Sequence, residues 1–127
     1  YKNEKIDVIV GIESRGFIFA APLALKLNCA FVLARKRGKL PAEIVRAEYE
    51  LEYGKDSLEM HKDAIQSGDD VLIVDDLLAT GGTVKAVIDL VKQLRGNIVE
   101  LAYLIELIDL GGAKNFEQVN NFSILKI

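Results

Sequence analysis

The sequence predicts one layered α/β domain, with a central, mostly parallel sheet flanked by helices. Short apolar runs alternate with helical periodicities along the whole chain, and no linker, repeat or low-complexity tract separates them. The run Val71–Val74 is purely aliphatic, which is typical of a parallel strand covered on both faces. A strand followed by a helix is the building unit of such a sheet. Directly after this run, apolar residues recur at the spacing of one helix face, at Val84, Val87, Ile88 and Val91.

The first part of the chain is predicted to form a strand, a helix and a second strand. Ile6–Ile12 and Ala30–Arg35 are short apolar runs that suit strands. Between them, Gly16–Leu27 is apolar around nearly its whole circumference. Such a helix has to be buried on more than one side, which in so small a chain favours a subunit interface. We therefore expect a homodimer.

The second part of the chain contains an irregular segment and the central strand. Gly38–Ser57 shows only weak alternation, so its residues alone predict a solvated β-hairpin or loop. Asp70–Asp76 is expected to be the central strand, and Thr83–Arg95 the amphipathic helix after it. Ile98–Glu106 suits another strand, and a short final strand is expected near Phe122–Leu125.

Composition and charge disfavour several classes of protein. With 127 residues, the chain is long enough for one core, so residues 1–127 are expected to form a single domain. The net charge is −3 and no basic stripe dominates a face, which argues against a nucleic-acid partner. A single cysteine, Cys29, and the lack of a long apolar run predict a cytoplasmic protein without a membrane partner. His61, the only histidine, is expected to point outward from a strand.

The most informative segment is Val71–Thr83, with the sequence VLIVDDLLATGGT. Asp75 and Asp76 close the central strand, at the edge where parallel sheets bind ligands. The next residues form a turn whose backbone N–H groups suit a phosphate at a helix N-terminus. Two carboxylates beside a phosphate suit sugar hydroxyls, a metal ion or a developing cation, so the segment predicts a site for a ribose phosphate. The turn consists of Ala79, Thr80, Gly81, Gly82 and Thr83.

This segment resembles the phosphoribosyl pyrophosphate motif of the type I phosphoribosyltransferases. Other segments occur in the order and spacing of the adenine phosphoribosyltransferases, and the resemblance covers nearly the whole chain. It implies a catalytic domain that converts adenine and phosphoribosyl pyrophosphate to AMP and pyrophosphate in purine salvage. The family has a further N-terminal segment that forms a hood over the base, and we expect it to be absent from this chain. The additional matching segments are Gly11–Phe17, Arg35–Pro41, Leu51–Gly54, Glu106–Leu107 and Asp109–Gly112.

The resemblance also implies roles for individual residues. Glu52, on a mobile loop that closes over the site, would protonate the base, while Asp75 and Asp76 would hold the ribose and favour its cationic transition state. The turn at Glu106 and Leu107 would lie beside the adenine. Mg²⁺ would be the cofactor, held mainly by substrate oxygens and water, with no protein ligand required. Pyrophosphate would be bound by Ser14, Arg15, Arg35, Lys36, Lys39 and Tyr53.

Some of these assignments have alternatives at the level of the residues. Without the resemblance, Arg15 and the basic residues from Arg35 to Lys39 are explained equally well as solvated side chains. The resemblance also allows that the residue at the position of Arg35 reaches the pyrophosphate of the other subunit in a dimer. Dimerisation and activity would then be linked.

Other function classes fit the sequence less well. A response-regulator receiver domain would need a phosphoacceptor aspartate and then a lysine at later strand ends, and a P-loop would need G-x-x-x-x-G-K-[ST]; neither pattern is present. A regulatory domain that binds phosphoribosyl pyrophosphate without catalysis would carry a winged-helix segment and would not need Glu52 and Tyr53. A 6-oxopurine phosphoribosyltransferase would place a lysine and an aromatic residue around the base, which Glu106–Gly112 lacks. These last two remain the alternative functions.

Overall fold

The structure is a computed structural model that describes residues 1–127. It contains seven strands and two α-helices. Two short 3-10 helices, Ile108–Leu110 and Gly112–Phe116, precede the last strand. In chain order the elements are β1 (Val8–Ile12), α1 (Gly16–Leu27), β2 (Ala30–Lys36), β3 (Ile44–Leu51), β4 (Gly54–His61), β5 (Asp70–Leu78), α2 (Gly82–Gln93), β6 (Asn97–Glu106) and β7 (Asn121–Lys126).

All strands belong to one sheet with the order β3-β4-β2-β1-β5-β6-β7. The five strands from β2 to β7 in this order are parallel, while β3 and β4 form an antiparallel hairpin that joins the edge of β2. The expected mostly parallel sheet flanked by helices is therefore confirmed. Because β1 and β5 are neighbours, their carboxyl ends meet at one edge of the sheet.

Two hydrophobic cores cover the two faces of the sheet. The main core lies under α2 and includes Val71 and Ile73, and the second core lies under α1 and includes Leu72 and Val74. This alternation is the period-two pattern of a strand buried on both faces, as the aliphatic run in β5 predicted. Each of these side chains contributes roughly 1.5 to 3 kcal/mol through its burial.

Helix α1 leaves part of its surface unpacked. Gly16, Ala20 and Ala24 face the sheet and are buried. On the opposite side, Ile18 and Leu25 are 66% and 83% exposed. The helix therefore buries its small residues within the chain and presents large apolar ones outward. No helix has the length and apolar character needed to cross a membrane.

The boundaries of several elements differ from the predicted ones by one or two residues. Helix α2 ends at Gln93 instead of Arg95, because Arg95 adopts a left-handed conformation with φ of 62°. Strand β5 continues to Leu78, because Leu77 and Leu78 still pair with β6. Asp75 and Asp76 consequently lie inside β5, two to three residues before its end, and not at its last residue.

The hairpin β3–β4 is more buried than its sequence suggested. The prediction of a hairpin was correct, but its base is not solvated, since Tyr49 and Leu58 belong to the main core. The prediction of an outward His61 was wrong: its ring is half-buried and its Nε2 is buried without a partner. The reason is that the hairpin packs against α2, so its residues are covered by an element that local alternation does not reveal.

Candidate active site

A cavity of about 350 Å³ opens where the carboxyl ends of β1, β2 and β5 meet the first turn of α2. This is the edge at which parallel sheets bind ligands. The cavity brings together several residues that are far apart in sequence and that were predicted to bind substrate. It is lined by Ile12, Glu13, Ser14, Arg15, Lys36, Asp75, Asp76, Leu77 and Thr83.

Asp75 is a buried carboxyl at the floor of this cavity, with 8% of the residue exposed. Helix α1 begins beside it, and a Cβ on Gly16 would lie only 3.0 Å from Asp75 Oδ1, so a larger residue there would crowd this carboxyl. Burial raises the pKa of Asp75 to about 7, although the Asp76 backbone N–H, 2.9 Å from Oδ1, acts in the opposite direction. The neighbouring Asp76 carboxyl raises it further. Asp75 therefore changes its charge near neutral pH.

Asp76 forms an ion pair with Arg15. The Arg15 Nε donates a hydrogen bond to Asp76 Oδ2, and this contact raises the pKa of the guanidinium. Arg15 follows β1, whereas Asp76 lies in β5, so the pair bridges two strands across the cavity. The two adjacent aspartates thus differ in environment. Asp75 is buried and has a pKa of about 7, whereas Asp76 forms an ion pair with Arg15.

The turn after β5 presents backbone donors at the start of α2. Gly81 has φ of 88°, and no side chain caps the helix, so the first N–H groups of α2 have no side-chain partner. Thr80 to Thr83 line a smaller cavity of about 190 Å³ that shares Leu77 and Thr83 with the first one. An anion placed there would lie on the positive end of the helix dipole.

Glu13 organises part of the predicted pyrophosphate site. Its carboxylate accepts hydrogen bonds from Arg35 Nε at 3.1 Å, from the Lys36 backbone N–H at 3.3 Å, and from Lys39 Nζ. Although burial raises the pKa of Glu13, these donors outweigh it and lower the pKa overall. Arg35 and Lys39 therefore point at Glu13 and do not line the cavity, whereas Lys36 does.

The proposed acid lies at the tip of the β3–β4 hairpin. Glu52 and Tyr53 form its two-residue turn; both are exposed, and Tyr53 is 93% exposed. Neither residue lines a cavity with the aspartates. Two residues further back on the hairpin, Glu50 and Leu51 line the smaller cavity beside the turn at α2. The tip is thus attached to an element that already contacts the site.

The turn predicted to lie beside the base begins at Glu106, the last residue of β6, which is the strand next to β5. Glu106 Oε2 accepts a hydrogen bond from Ser123 at 2.8 Å and pairs with Lys126 Nζ at 3.3 Å. The Leu107 N–H donates to the carbonyl of Leu78 at 2.9 Å. These contacts fix the turn at the end of β5, but it does not line the cavity of Asp75 and Asp76.

Comparison with known proteins identifies the family of this chain. A sequence profile described as the phosphoribosyl transferase domain matches residues 1–125. An adenine phosphoribosyltransferase from Halothermothrix orenii is 58% identical over 126 residues, which are 99% of this chain and 74% of the relative. The chain belongs to the adenine phosphoribosyltransferase family.

Solved structures of this phosphoribosyltransferase family have the same fold. The crystal structure of adenine phosphoribosyltransferase from Thermoanaerobacter pseudethanolicus superposes with a TM-score of 0.95 at 51% identity, covering 98% of this chain and 73% of the other. The Saccharomyces cerevisiae enzyme, complexed with D-2,5-dideoxy-2,5-imino-altritol 1,6-bisphosphate and adenine, gives 0.93 at 48% identity, covering 97% and 69%. The type I phosphoribosyltransferase fold is therefore established for this chain.

The donor groups of the site can be compared with what a magnesium ion requires. Nowhere in the phosphoribosyltransferase domain do three or more His, Cys, Asp or Glu side chains converge on one point. The cavity offers the carboxylates of Asp75 and Asp76 as oxygen donors. Mg²⁺ commonly binds through one or two carboxylates, substrate phosphates and water. The donors present suit that arrangement and do not suit a cage made only of protein groups.

Sequence reasoning missed Glu13. The predicted pyrophosphate site did not include this residue, although it directly precedes Ser14 and Arg15. An acidic residue at a strand end, in a chain with a basic cluster at the end of the next strand, was the available signal. Parallel neighbouring strands bring such ends together.

Proposed function

We propose that this chain transfers the phosphoribosyl group of phosphoribosyl pyrophosphate to adenine, forming AMP and releasing pyrophosphate, and that residues 1–127 act as one catalytic domain. The observation that carries the proposal is the cavity in which Arg15, Asp75 and Asp76 meet the first turn of α2. In this proposal, the phosphate, the ribose and the pyrophosphate bind side by side at one edge of the sheet.

The 5-phosphate binds at the turn Ala79–Thr83. Support comes from the uncapped N–H groups of α2 and from Gly81, which has a positive φ and lines the smaller cavity. The helix dipole favours a dianion there by roughly 0.3 to 1 kcal/mol or more. Thr80 and Thr83 add hydroxyl donors.

Asp75 and Asp76 bind the ribose hydroxyls and stabilise positive charge at the anomeric carbon. In the reaction, the bond from this carbon to a pyrophosphate oxygen breaks as a ring nitrogen of adenine bonds to it, and the sugar passes through an oxocarbenium-like state. The buried position of Asp75 supports this role, because a carboxylate stabilises a nearby cation most strongly where water is scarce.

The departing pyrophosphate is bound by Ser14, Arg15 and Lys36 at the cavity wall. Arg35 and Lys39 add positive charge next to the cavity, where Glu13 holds them, and Tyr53 would reach the pyrophosphate only when the hairpin closes. When bound, Mg²⁺ neutralises charge on the pyrophosphate oxygens, and the substrate supplies most of its ligands. The side chains of the domain orient the leaving group so that its bond is in line with the incoming base.

Glu52 exchanges a proton with the purine after the hairpin β3–β4 folds over the cavity. It takes up the imidazole proton that adenine loses as AMP forms, and it acts as the acid that returns this proton in the reverse reaction. Its position at the end of a hairpin whose inner residues line the smaller cavity supports this role. Closure also excludes water, which would otherwise hydrolyse the activated sugar. The turn at Glu106 and Leu107 lies on the next strand and offers the backbone groups that contact the base.

The active species is a homodimer that forms through α1. Support comes from the exposed apolar side chains of Ile18 and Leu25 on the face of α1 turned away from the sheet. Apolar groups in such a position gain free energy when they are covered. Location in the cytoplasm stays a prediction from the single cysteine.

The decisive experiment measures pyrophosphate release with adenine, guanine, hypoxanthine, xanthine and orotate in turn. We expect release with phosphoribosyl pyrophosphate and adenine, and little with the other bases. Release with hypoxanthine or guanine instead would identify a 6-oxopurine enzyme. Binding of phosphoribosyl pyrophosphate without release with any base would identify a regulatory domain.

A further inference from the structure

Three side chains from three strands form a hydrogen-bonded chain that ends at the cavity. Lys36 Nζ, in β2, donates to the hydroxyl of Tyr49 in β3. The Tyr49 hydroxyl donates to Asp56 Oδ2 in β4 at 3.2 Å, and Lys36 Nζ lies 3.7 Å from the same carboxylate oxygen.

Strand register explains why these side chains meet. Tyr49 is directly opposite Asp56 in the hairpin, and Lys36 is opposite Leu58. Asp56 lies two residues from Leu58, so its side chain is on the same face of the sheet. Tyr49 is only 7% exposed and packs in the main core, which fixes the position of its hydroxyl.

The charges in this chain keep Lys36 protonated. Partial burial lowers the pKa of Lys36, but the hydrogen bond to Tyr49 and the charge of Asp56 outweigh it, and the pKa is raised overall. An ammonium has three N–H donors. With one directed at Tyr49 and one toward Asp56, a third remains for a group in the cavity that Lys36 lines.

We propose that Tyr49, oriented by Asp56, is a positioning residue that holds the ammonium of Lys36 at the cavity for the pyrophosphate group. The inference rests on the proposed function, because it requires pyrophosphate to bind beside Lys36. A lysine side chain that is free to rotate loses rotamer entropy when it binds an anion. Tyr49 removes much of that loss in advance, because its own place is set by the core of the hairpin.

The test compares ligand binding by wild-type protein and Tyr49→Phe, which keeps the ring and removes the hydroxyl. Calorimetric titration with inorganic pyrophosphate in the presence of Mg²⁺ should show a Kd raised by about three- to ten-fold, the effect of one lost hydrogen bond. Tyr49 also lines the smaller cavity where the phosphate of AMP would bind, and Tyr49→Phe keeps its ring, so the Kd for AMP should stay unchanged. Tyr103→Phe is the matched control, since the Tyr103 hydroxyl is buried without a partner, and it should leave both Kd values unchanged.

A double-mutant cycle separates positioning from a general effect on the fold. Lys36→Met should weaken pyrophosphate binding by itself, and adding Tyr49→Phe to it should cause no further loss. An equal loss from Tyr49→Phe in both backgrounds, an equal loss of AMP binding, or tighter pyrophosphate binding would each overturn the positioning role. If Lys36→Met weakens binding and Tyr49→Phe does not, only this inference fails. If wild-type protein binds no pyrophosphate, the proposed function fails with it.

Discussion

Asp75 and Asp76 show how far neighbouring residues can differ in environment. The sequence predicted both carboxylates at the end of a buried strand, and both line the cavity. It could not predict that Asp75 would be buried against the first turn of α1, nor that Asp76 would pair with Arg15. Those contacts are made by residues about 60 positions away along the chain. Residue types and strand ends are local information, whereas partners depend on which strands become neighbours.

The raised pKa of Asp75 predicts a pH dependence of stability. Since its folded pKa of about 7 lies above the ordinary value of 3.8, the folded chain holds this proton more tightly than the unfolded chain does. Its stabilising contribution is full below about pH 4 and is lost as the pH rises through 7. Urea unfolding from pH 4 to 8 should show this decline in wild-type protein and not in Asp75→Asn. Parallel profiles for the two proteins would contradict the assignment.

The ion pairs of Glu13 with Arg35 and Lys39 predict a contribution to the stability of the fold. Glu13→Gln removes the charge that pairs with Arg35 and Lys39 in a buried position, so unfolding should become easier by about 1 to 3 kcal/mol. Urea denaturation measures this change. Glu43→Gln is the control, because Glu43 is an exposed partner of Lys62 at 4.0 Å and should change stability by less than about 0.5 kcal/mol. Equal effects of the two variants would mean that the Glu13 ion pairs stabilise the fold no more than an exposed ion pair does.

At the scale of elements, the predicted helices and strands were found with shifts of one or two residues at their ends. Periodicity sets where an element lies, but its last residues depend on tertiary pairing. Strand β5 is extended because β6 pairs with Leu77 and Leu78. The hairpin was harder to predict, since Tyr49 and Leu58 are buried by other elements and not by their own alternation.

Two glycines with different functions lie where the turn enters α2: Gly81 precedes the helix and Gly82 is its first residue. Gly81 has a positive φ, and a Cβ there would lie 2.7 Å from Phe116, so Gly81→Ala should lower stability by about 1 to 3 kcal/mol. At Gly82 a Cβ would have no neighbour closer than 3.8 Å, so Gly82→Val should fold but block the approach of the phosphate. Thermal melts and calorimetry with AMP distinguish these effects. Undiminished AMP affinity in Gly82→Val would contradict the proposed phosphate site.

The hairpin tip predicts a loss of rate without a loss of binding. General acid catalysis contributes about 10² to 10⁴ in rate, so Glu52→Gln should lower kcat by that order and leave the affinity for phosphoribosyl pyrophosphate largely intact. Steady-state kinetics and direct titration provide the two quantities. Glu48→Gln, on the same hairpin and paired only with the exposed Lys55, should retain its activity. A loss confined to substrate binding would argue against the acid role of Glu52.

At the scale of the whole molecule, the sequence predicted the fold class and the edge of the sheet that carries the site. It did not predict the strand order, because pairing between strands distant in sequence, such as β1 with β5, leaves no local pattern. The apolar circumference of α1 led to the expectation of a subunit interface. In the single chain Ile18 and Leu25 of this helix are exposed, and the homodimer stays a prediction.

The exposed face of α1 predicts the oligomeric state. Leu25→Glu places a charge on a residue that is 83% exposed, so the isolated fold should be kept while the dimer dissociates. Analytical ultracentrifugation should find a wild-type dimer and a mutant monomer with unchanged circular dichroism. Ile124→Glu, at the exposed β7 edge, is the control and should remain dimeric. A Leu25→Glu protein that stays dimeric would exclude α1 as the interface.

The ion pair between Arg15 and Asp76 affects how tightly the site binds phosphoribosyl pyrophosphate compared with its two fragments, pyrophosphate and ribose 5-phosphate. Pyrophosphate alone would engage Arg15 and leave Asp76 without its cation, and ribose 5-phosphate alone would engage Asp76 and leave Arg15 without its anion. Each fragment therefore bears the full cost of opening the pair. Only intact phosphoribosyl pyrophosphate contacts both side chains at once. The free energy lost when the Arg15–Asp76 pair breaks is then offset by two new interactions. We therefore expect the site to bind intact phosphoribosyl pyrophosphate in preference to its fragments, and a chain with Asp76→Asn should bind free pyrophosphate more tightly than wild-type protein does.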